Sequence, residues 1–346
     1  MAKSTKAIKA PLLMFSILFC ALCQHLHAQD IQFSQFYATP LYQNPAFAGS
    51  AHATRFILHQ RLQWPSLDAR YITSMFSADH YFEKQRSGVG IIAFRDWQGA
   101  SIINSSHIGL QYAYELPISE KLTFRAGLEA SFVSRSLNYA LLTFPDQYSV
   151  AGFLDNPTNE PLDGSSVTYA DLSSGGILYH ENFWVGLSAH HMNTPNQSFY
   201  GDLSNLPVKW AVTGGYKIVL RKNQSTASLE EKTFSITPTF HYKTQGRSDQ
   251  TDIGLYALYD NIIAGVWYRG IPYLKRYREY LHNNESMVVL LGFKIDNLSI
   301  SYSYDVTVSK LAGAQTGGSH EINLTYLTDW PPRRGKPRRK LPCPRF

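Results

Sequence analysis

Twelve histidines and 26 carboxylates are the groups through which this chain could move protons near neutral pH. Their spacing offers little. His190 and His191 are adjacent, Asp79 precedes His80, and His320 precedes Glu321. In an extended chain successive side chains point to opposite faces, so neither His–carboxylate dipeptide can present a dyad on one surface. No His-Glu-x-x-His, no Gly-x-Ser-x-Gly elbow, no phosphate-binding P-loop and no Cys–His metal spacing occurs. An enzyme would have to gather its groups from separate strands, and no nucleophile–base grouping stands out. We therefore expect no catalysis, no cofactor and no metal.

The elements that would position any such groups read as strands. Leu298, Ile300, Tyr302 and Tyr304 alternate with Ser299, Ser301, Ser303 and Asp305. Leu122, Phe124, Ala126, Leu128, Ala130 and Phe132 alternate with Thr123, Arg125, Gly127, Glu129 and Ser131, and Ile108, Leu110, Tyr112 and Tyr114 with His107, Gly109, Gln111 and Glu115. Period-two alternation gives a strand one apolar and one polar face. Fourteen such segments are expected: 54–62, 70–82, 88–96, 101–116, 121–137, 167–180, 182–193, 206–221, 233–243, 248–260, 262–272, 285–295, 297–307 and 318–328. Most are long enough to cross a bilayer at a tilt.

The connections alternate in length. Residues 117–120, 181–182, 260–261 and 296–297 are short turns, whereas 138–166, 194–205, 273–284 and 308–317 are long. Short turns at one end, long loops at the other and an even strand count are the pattern of an all-β outer-membrane antiparallel barrel. Two connections break it: 97–100 is short on the long-loop side, and 221–232 is long on the short-turn side. A β-sandwich or a propeller is the rival, and it suits neither strands of this length nor a chain without blade-length repeats.

Composition agrees. Aromatic residues make up 14% and charged residues only 17% of the 346, which suits strands with an apolar face rather than a disordered chain. Residues 1–28 carry Lys3, Lys6 and Lys9, then a 12-residue apolar run from Pro11 to Leu22, and end at Ala28, the build of a secretory signal peptide. Removing it would take away two of the three cysteines and leave Cys343. The formal net charge is +6; the signal supplies +3, and seven basic residues against Asp329 give residues 329–346 another +6, so the body carries −3. A mildly acidic body excludes a nucleic-acid surface. The expected organisation is a signal peptide at 1–28, a hatch at 29–53, a barrel at 54–328 and a basic periplasmic tail at 329–346.

Several motifs carry a resemblance. The stretch from Asp30 to Gly49 contains Phe33, Ser34, Gln35, Pro40, Asn44, Pro45 and Ala46. Arg61, Gln63 and Trp64 follow, then the segment from Gly88 to Asp96 with Gly99. Near the end come Tyr304, Asp305, Ser309, and the run Gly318, Ser319, His320 and Glu321, with Cys343 to Phe346 closing the chain. Together these blocks resemble the PorP/SprF family of type IX secretion system membrane proteins across nearly the whole chain. The resemblance implies an integral outer-membrane barrel, in contact with its lipid, whose partners are type IX secretion components and secreted surface proteins. In some members it implies attachment of adhesins used in gliding.

Pro40, Pro45 and the lack of strand alternation exclude the 30–49 segment from the wall, so it is expected to fold into the barrel mouth as a hatch, with both termini periplasmic. Arg61 shares its strand phase with Arg55, Ile57 and His59, while Phe56, Leu58 and Leu62 take the lipid-facing phase. It is expected to point inward and pair with a lumen carboxylate, Asp305 or Glu129; a charge facing mid-bilayer lipid would cost about 2–4 kcal/mol. Glu321 is likewise a lumen residue by phase. Three functions stay open: a secretion and anchoring component, a transporter of small or hydrophobic molecules (Asn44, Pro45 and Ala46 in a hatch also resemble FadL-type barrels), and a passive porin. A lumen bearing Arg125, Glu129 and Gln111 is too polar for a greasy channel. For the anchoring function the candidate surface is the 138–166 loop, which holds Asp146, Asp155, Glu160 and Asp163 with no Lys or Arg, beside Tyr139, Phe144, Tyr148 and Phe153.

Overall fold

The computed structural model describes residues 30–150, 152–154, 156–160, 164–224, 231–278, 281–309 and 315–328. Their alternation folds into a closed antiparallel barrel of fourteen strands. These are β1 Thr54–Gln63, β2 Tyr71–Phe82, β3 Ser87–Gln98, β4 Ile103–Pro117, β5 Thr123–Leu137, β6 Ser166–Tyr179 and β7 Phe183–His190. There follow β8, in two pieces Lys209–Tyr216 and Ile218–Gln224, then β9 Glu231–Gln245, β10 Ser248–Tyr259, β11 Ile262–Arg278, β12 Leu281–Ile295, β13 Leu298–Thr307 and β14 Ser319–Thr328. Each strand pairs with the next, and β1 closes onto β14 with Arg61 opposite Glu321. Closure leaves no open edge, as backbone in hydrocarbon requires.

The period-two pattern sorts side chains by solvent. Leu58, Leu110, Leu128, Ile253 and Ile295 stand outward and exposed, while Gln111, Glu115, Arg125 and Glu129 are buried inside. Among the described residues no helix is long and apolar enough to cross a membrane; the crossing elements are strands. The two hairpins at 260–261 and 296–297 turn through Asp260 and Asp296 at φ 55° and 50°, the left-handed conformation that Asp and Asn tolerate best after glycine.

Two expectations about the wall are corrected. The long loop at 273–284 is mostly strand: β11 runs to Arg278 and β12 starts at Leu281, with register shifts after Arg269 and Ile271. Pro272 sits in that irregular stretch, where the ladder does without its missing N–H. The strand expected over 206–221 is interrupted at Lys217 and continues to Gln224, which shortens the odd connection on the turn side. The long loop expected at 138–166 contains 3-10 turns at Tyr139–Leu141 and Pro145–Gln147 and a short hairpin, Tyr148–Ser149 with Gly152–Phe153.

One end of the barrel carries the connections 64–70, 99–102, 138–165, 191–208 and 308–318; we call it the loop end. The opposite, turn end carries 83–86, 118–122, 180–182, 260–261 and 296–297. The segment before β1 fills the space between them. It forms a 3-10 turn Phe36–Ala38, one helical turn Pro40–Gln43 and a second 3-10 turn Pro45–Phe47. Pro40 and Pro45 stand at the first positions of their turns, where a missing N–H costs nothing. From Phe33 to His52 every residue except Tyr42 is buried. This plug runs from the loop end, where Gln32 meets Glu285, to the turn end, where Gly49 meets Asp79. Ile31 thus lies at the loop end and Thr328 at the turn end, so the two ends of the described chain lie at opposite ends of the barrel and not together as two periplasmic termini would require; the signal segment, Cys343 and the basic tail lie outside the described residues.

Candidate functional site

The site is the contact between plug and lumen, and it has an upper and a lower clamp. In the upper clamp, toward the loop end, the N–H groups of Ser34 and Gln35 donate to the two carboxylate oxygens of Glu321 at 2.6 and 2.8 Å. The Ser34 hydroxyl donates to Asp305, and Arg61 pairs with Glu321 and, at 3.3 Å, with Asp305. Arg269 reaches Asp305 at 3.3 Å and Asp252 at 2.9 Å and donates to the Phe33 carbonyl at 3.3 Å. Gln35 is held at both ends of its amide: Nε2 donates to Ser303 Oγ at 3.1 Å, and Oε1 accepts from Ser301 at 2.7 Å. His59 lies 3.3 Å from Glu321, and the Phe33 ring stands edge-on to His59 at 4.8 Å and to Tyr42 at 5.0 Å.

The strand phases explain why these groups meet. Arg61 faces Glu321 across the closing pair β1–β14, and Glu321 faces Ser303 across β13–β14, two residues from Asp305. Three motifs far apart in sequence therefore share one inner face. Gln63 accepts from Arg61 at 3.3 Å, and the Trp64 N–H donates to the Gly318 carbonyl at 2.8 Å, tying the start of the 64–70 loop to β14. Gly318 has φ 69°, and a Cβ there would meet the Asp305 carbonyl oxygen at 2.4 Å, so no larger residue fits. His320 faces outward and bonds Tyr302 Oη at 2.7 Å, away from Glu321. Ser309 lies at the loop end beside the undescribed residues 310–314.

In the lower clamp Arg125 donates to the carbonyls of Ala46, at 3.1 Å, and Ala48, and pairs with Glu115 at 2.6 Å. Asp79 accepts from the Gly49 N–H at 2.8 Å and from Arg55 at 2.8 Å. The Asn44 side chain caps the turn by accepting from the Ala46 N–H at 2.9 Å, and its amide donates to the carbonyls of Gly176 and Leu187. Glycines form the floor. A Cβ at Gly88 would lie 2.0 Å from the Ala48 carbonyl oxygen, at Gly127 2.3 Å from the Ala46 nitrogen, and at Gly175 2.1 Å from Asn44 Oδ1. Between the clamps Phe36 stacks on His241 at 5.2 Å, and Tyr37 meets Tyr256 edge-on at 4.4 Å.

Glu129 is not the partner of Arg61. It accepts from Gln111 at 2.7 Å and lies 3.0 Å from His107, all within β4–β5 on the far side of the plug. Arg269, Asp252, Arg55, Asp79 and Glu115 complete the clamps, although they are not among the site residues expected from the sequence. Their signal was inward phase: Arg269 shares its face with Ile263 and Trp267, both buried. Among the described residues no group of three or more His, Cys, Asp and Glu is placed to hold a metal.

The candidate residues of the 138–165 loop divide between its surface and its own interior. Tyr148, Phe153 and Glu160 are exposed, and Tyr139 and Phe144 are half-buried. Asp146 is engaged inside the loop, where the Asn159 N–H at 2.6 Å and the Thr158 hydroxyl at 2.8 Å hold its carboxyl below the usual range. Asp155 and Asp163 lie outside the described residues.

A closed barrel, apolar outside and charged within, defines an outer-membrane β-barrel protein that carries its own plug. The chain belongs to the type IX secretion system membrane protein family PorP/SprF, whose family model matches residues 26–326. Membership associates it with type IX secretion and with the outer membrane. No curated protein matches the chain. Among solved structures it is similar to the Pseudomonas putida toluene transporter TodX, at 11% identity and TM-score 0.43, over 88% of this chain and 96% of that one. It is also similar to a Pseudomonas aeruginosa FadL homologue, at 11% identity and TM-score 0.37, over 84% and 94% of the two chains. The Acinetobacter baumannii outer membrane protein Omp33 is similar at 11% identity and TM-score 0.38, over 80% and 99%.

Proposed function

We propose that this barrel works closed and holds secreted surface proteins at its loop end, which faces the cell exterior. The observation that carries the proposal is the plug. A lumen filled from Phe33 to His52 and fastened by buried ion pairs leaves the outer surfaces to do the work. The loop end offers such a surface: Tyr148 and Phe153 are about half exposed, and Leu203 of the 191–208 loop is 88% exposed. Tyr139 and Tyr200 bond through their hydroxyls at 3.1 Å and so tie the two loops together. Apolar side chains held in water cost free energy that a partner would recover. Glu160 adds exposed negative charge for steering, whereas Asp146 serves the loop's own fold. A hydrophobic-molecule transporter is less well supported, because Arg125, Glu115, Glu129 and Arg61 line the interior.

Deleting residues 145–160 should leave the barrel assembled and reduce surface retention of at least one exported protein by roughly tenfold, the equivalent of about 1.4 kcal/mol of lost binding. Unchanged retention of every exported protein would remove this loop as the anchor. Sidedness has its own check. With Cys343→Ser in place, Asn156→Cys should react with an impermeant thiol reagent on intact cells, and Asn261→Cys should not. Reversed labelling would put the loop end in the periplasm.

A further inference from the structure

Beside the upper clamp, on the opposite wall, a cavity of about 40 Å³ opens between the plug and strands β7–β10. Its charged and titratable lining is Lys209, Lys243, His190, His241 and Asp252. Tyr42 of the plug closes one side, with the Lys209 ammonium 4.9 Å from its ring centre. We propose that this cavity is a binding site for a small oxyanion of the size of acetate or inorganic phosphate. His190 and Lys209 flank the 191–208 loop but point into the lumen with the other three, so the site lies inside the barrel and the surface assigned to secreted proteins lies on the loops outside it.

Register puts the two lysines together. Lys209 opens β8 opposite Gln245, and Lys243 stands opposite Ala211, so both ammonium stems share one inner face as diagonal neighbours on adjacent strands. Like charges so placed repel unless something between them is negative. The one carboxylate in the lining is already engaged: Asp252 accepts from Arg269 at 2.9 Å and from the Gln250 amide at 3.0 Å on each oxygen. Among the described residues no carboxylate lies within 4.0 Å of Lys243. Lysine is rarely withdrawn from water without a partner.

The His241 imidazole favours the same ligand. Gln43 Nε2 donates to His241 Nδ1 at 3.3 Å, which leaves the ring proton of a neutral His241 on Nε2 as a donor. His190 Nε2 lies 3.2 Å from the Gln43 carbonyl, which can only accept, so its N–H is donated to the plug rather than to the cavity. The lining therefore supplies two ammonium groups and the His241 N–H, against one carboxylate that Arg269 and Gln250 already engage. The volume takes about three water-sized positions, enough for a carboxylate or a phosphate and too little for a sugar or a side-chain aromatic. The cavity lies toward the loop end, where His190 ends β7 and Lys209 begins β8. An anion there would tie the plug, through Tyr42 and Gln43, to the wall strands β8 and β9.

The test uses the full-length protein folded in detergent micelles, titrated separately with carbon-13 acetate, inorganic phosphate and chloride, with line broadening of the acetate and phosphate signals as the readout. At least one of the two oxyanions should broaden saturably, and the one that does identifies the ligand source. Lys243→Met and Lys243→Gln should each weaken it by about tenfold or more, while Lys121→Met, in an exposed turn, should not change it. Gel mobility with and without heating verifies that each variant is a folded barrel; if Lys243→Met fails to fold, Lys243→Gln alone decides. No saturable broadening by either oxyanion, the same affinity in the folded Lys243 variants, or displacement by chloride at equal concentration would overturn the assignment.

Discussion

Replacing Gly127 and Gly175 together by leucine should unseat the lower half of the plug and open the lumen. The wall strands can carry the change, because leucine is at home in a strand and the ladder bonds are unaffected. The plug cannot. The new Cβ atoms would stand 2.3 Å from the Ala46 nitrogen and 2.1 Å from Asn44 Oδ1, inside the contact distance of any real pair. Overpacking costs about 1–3 kcal/mol per site. Two sites together should shift the seated-to-unseated equilibrium by about thirtyfold to about twenty-thousandfold, at 1.4 kcal/mol per factor of ten. What the plug leaves behind is tolerable, since a polar wall of Arg125, Glu115, Gln111 and Glu129 hydrates as a porin lumen does. Planar-bilayer conductance should rise in the double variant and rise as far when residues 30–49 are deleted. The conservative swap Leu128→Ile, on the lipid face of the same strand, should leave it at the wild-type level. Conductance unchanged in a folded double variant would mean that the lower clamp does not seal the barrel.

The wall of this protein is legible in its sequence, and the inside much less so. Period-two alternation fixes which side chains of β4, β5, β13 and β14 face lipid, because one register slip would turn every apolar residue to the wrong side. The inward direction of Arg61 and Glu321 follows from that phase alone. What phase cannot supply is distance around the barrel. Asp305 and Glu129 satisfy it equally as partners of Arg61, yet β13 lies two strands from β1 through the closing β14, and β5 lies across the plug. Closure is a long-range event with no local signal. The β11–β12 extension escapes for another reason: Gly270, Pro272 and a basic run look like loop chemistry, whereas a bulge lets the strand continue past them. The two prolines of the hatch were readable as excluding a strand, but its direction, loop end to turn end, is set by which carboxylate each clamp offers.

That division of labour makes Glu321 the most sensitive position in the upper clamp. Its two oxygens accept the N–H groups of Ser34 and Gln35 at 2.6 and 2.8 Å and face Arg61 and His59, so all of the groups recorded around them are donors. Glu321→Gln keeps the shape but turns one acceptor into an NH₂ group pointed at those donors. It also leaves the buried Arg61 sharing Asp305 with Arg269. Breaking a buried pair from one side costs about 3–5 kcal/mol, because the remaining charge stays out of water without its partner. The loss should fall on the plug before the wall, whose ladder bonds do not pass through this carboxylate. Hydrogen exchange at the Ser34 and Gln35 amides should therefore accelerate more than a hundredfold, by the 1.4 kcal/mol that each factor of ten represents. Exchange in the middle of β14 should change far less. Glu321→Asp, which keeps the charge and shortens the reach, should recover part of the protection. If the two amides exchange in Glu321→Gln as slowly as in the wild type, the plug is held by its aromatic middle, Phe36 and Tyr37 against His241, Tyr256 and Trp267, and the charged clamp only orients it.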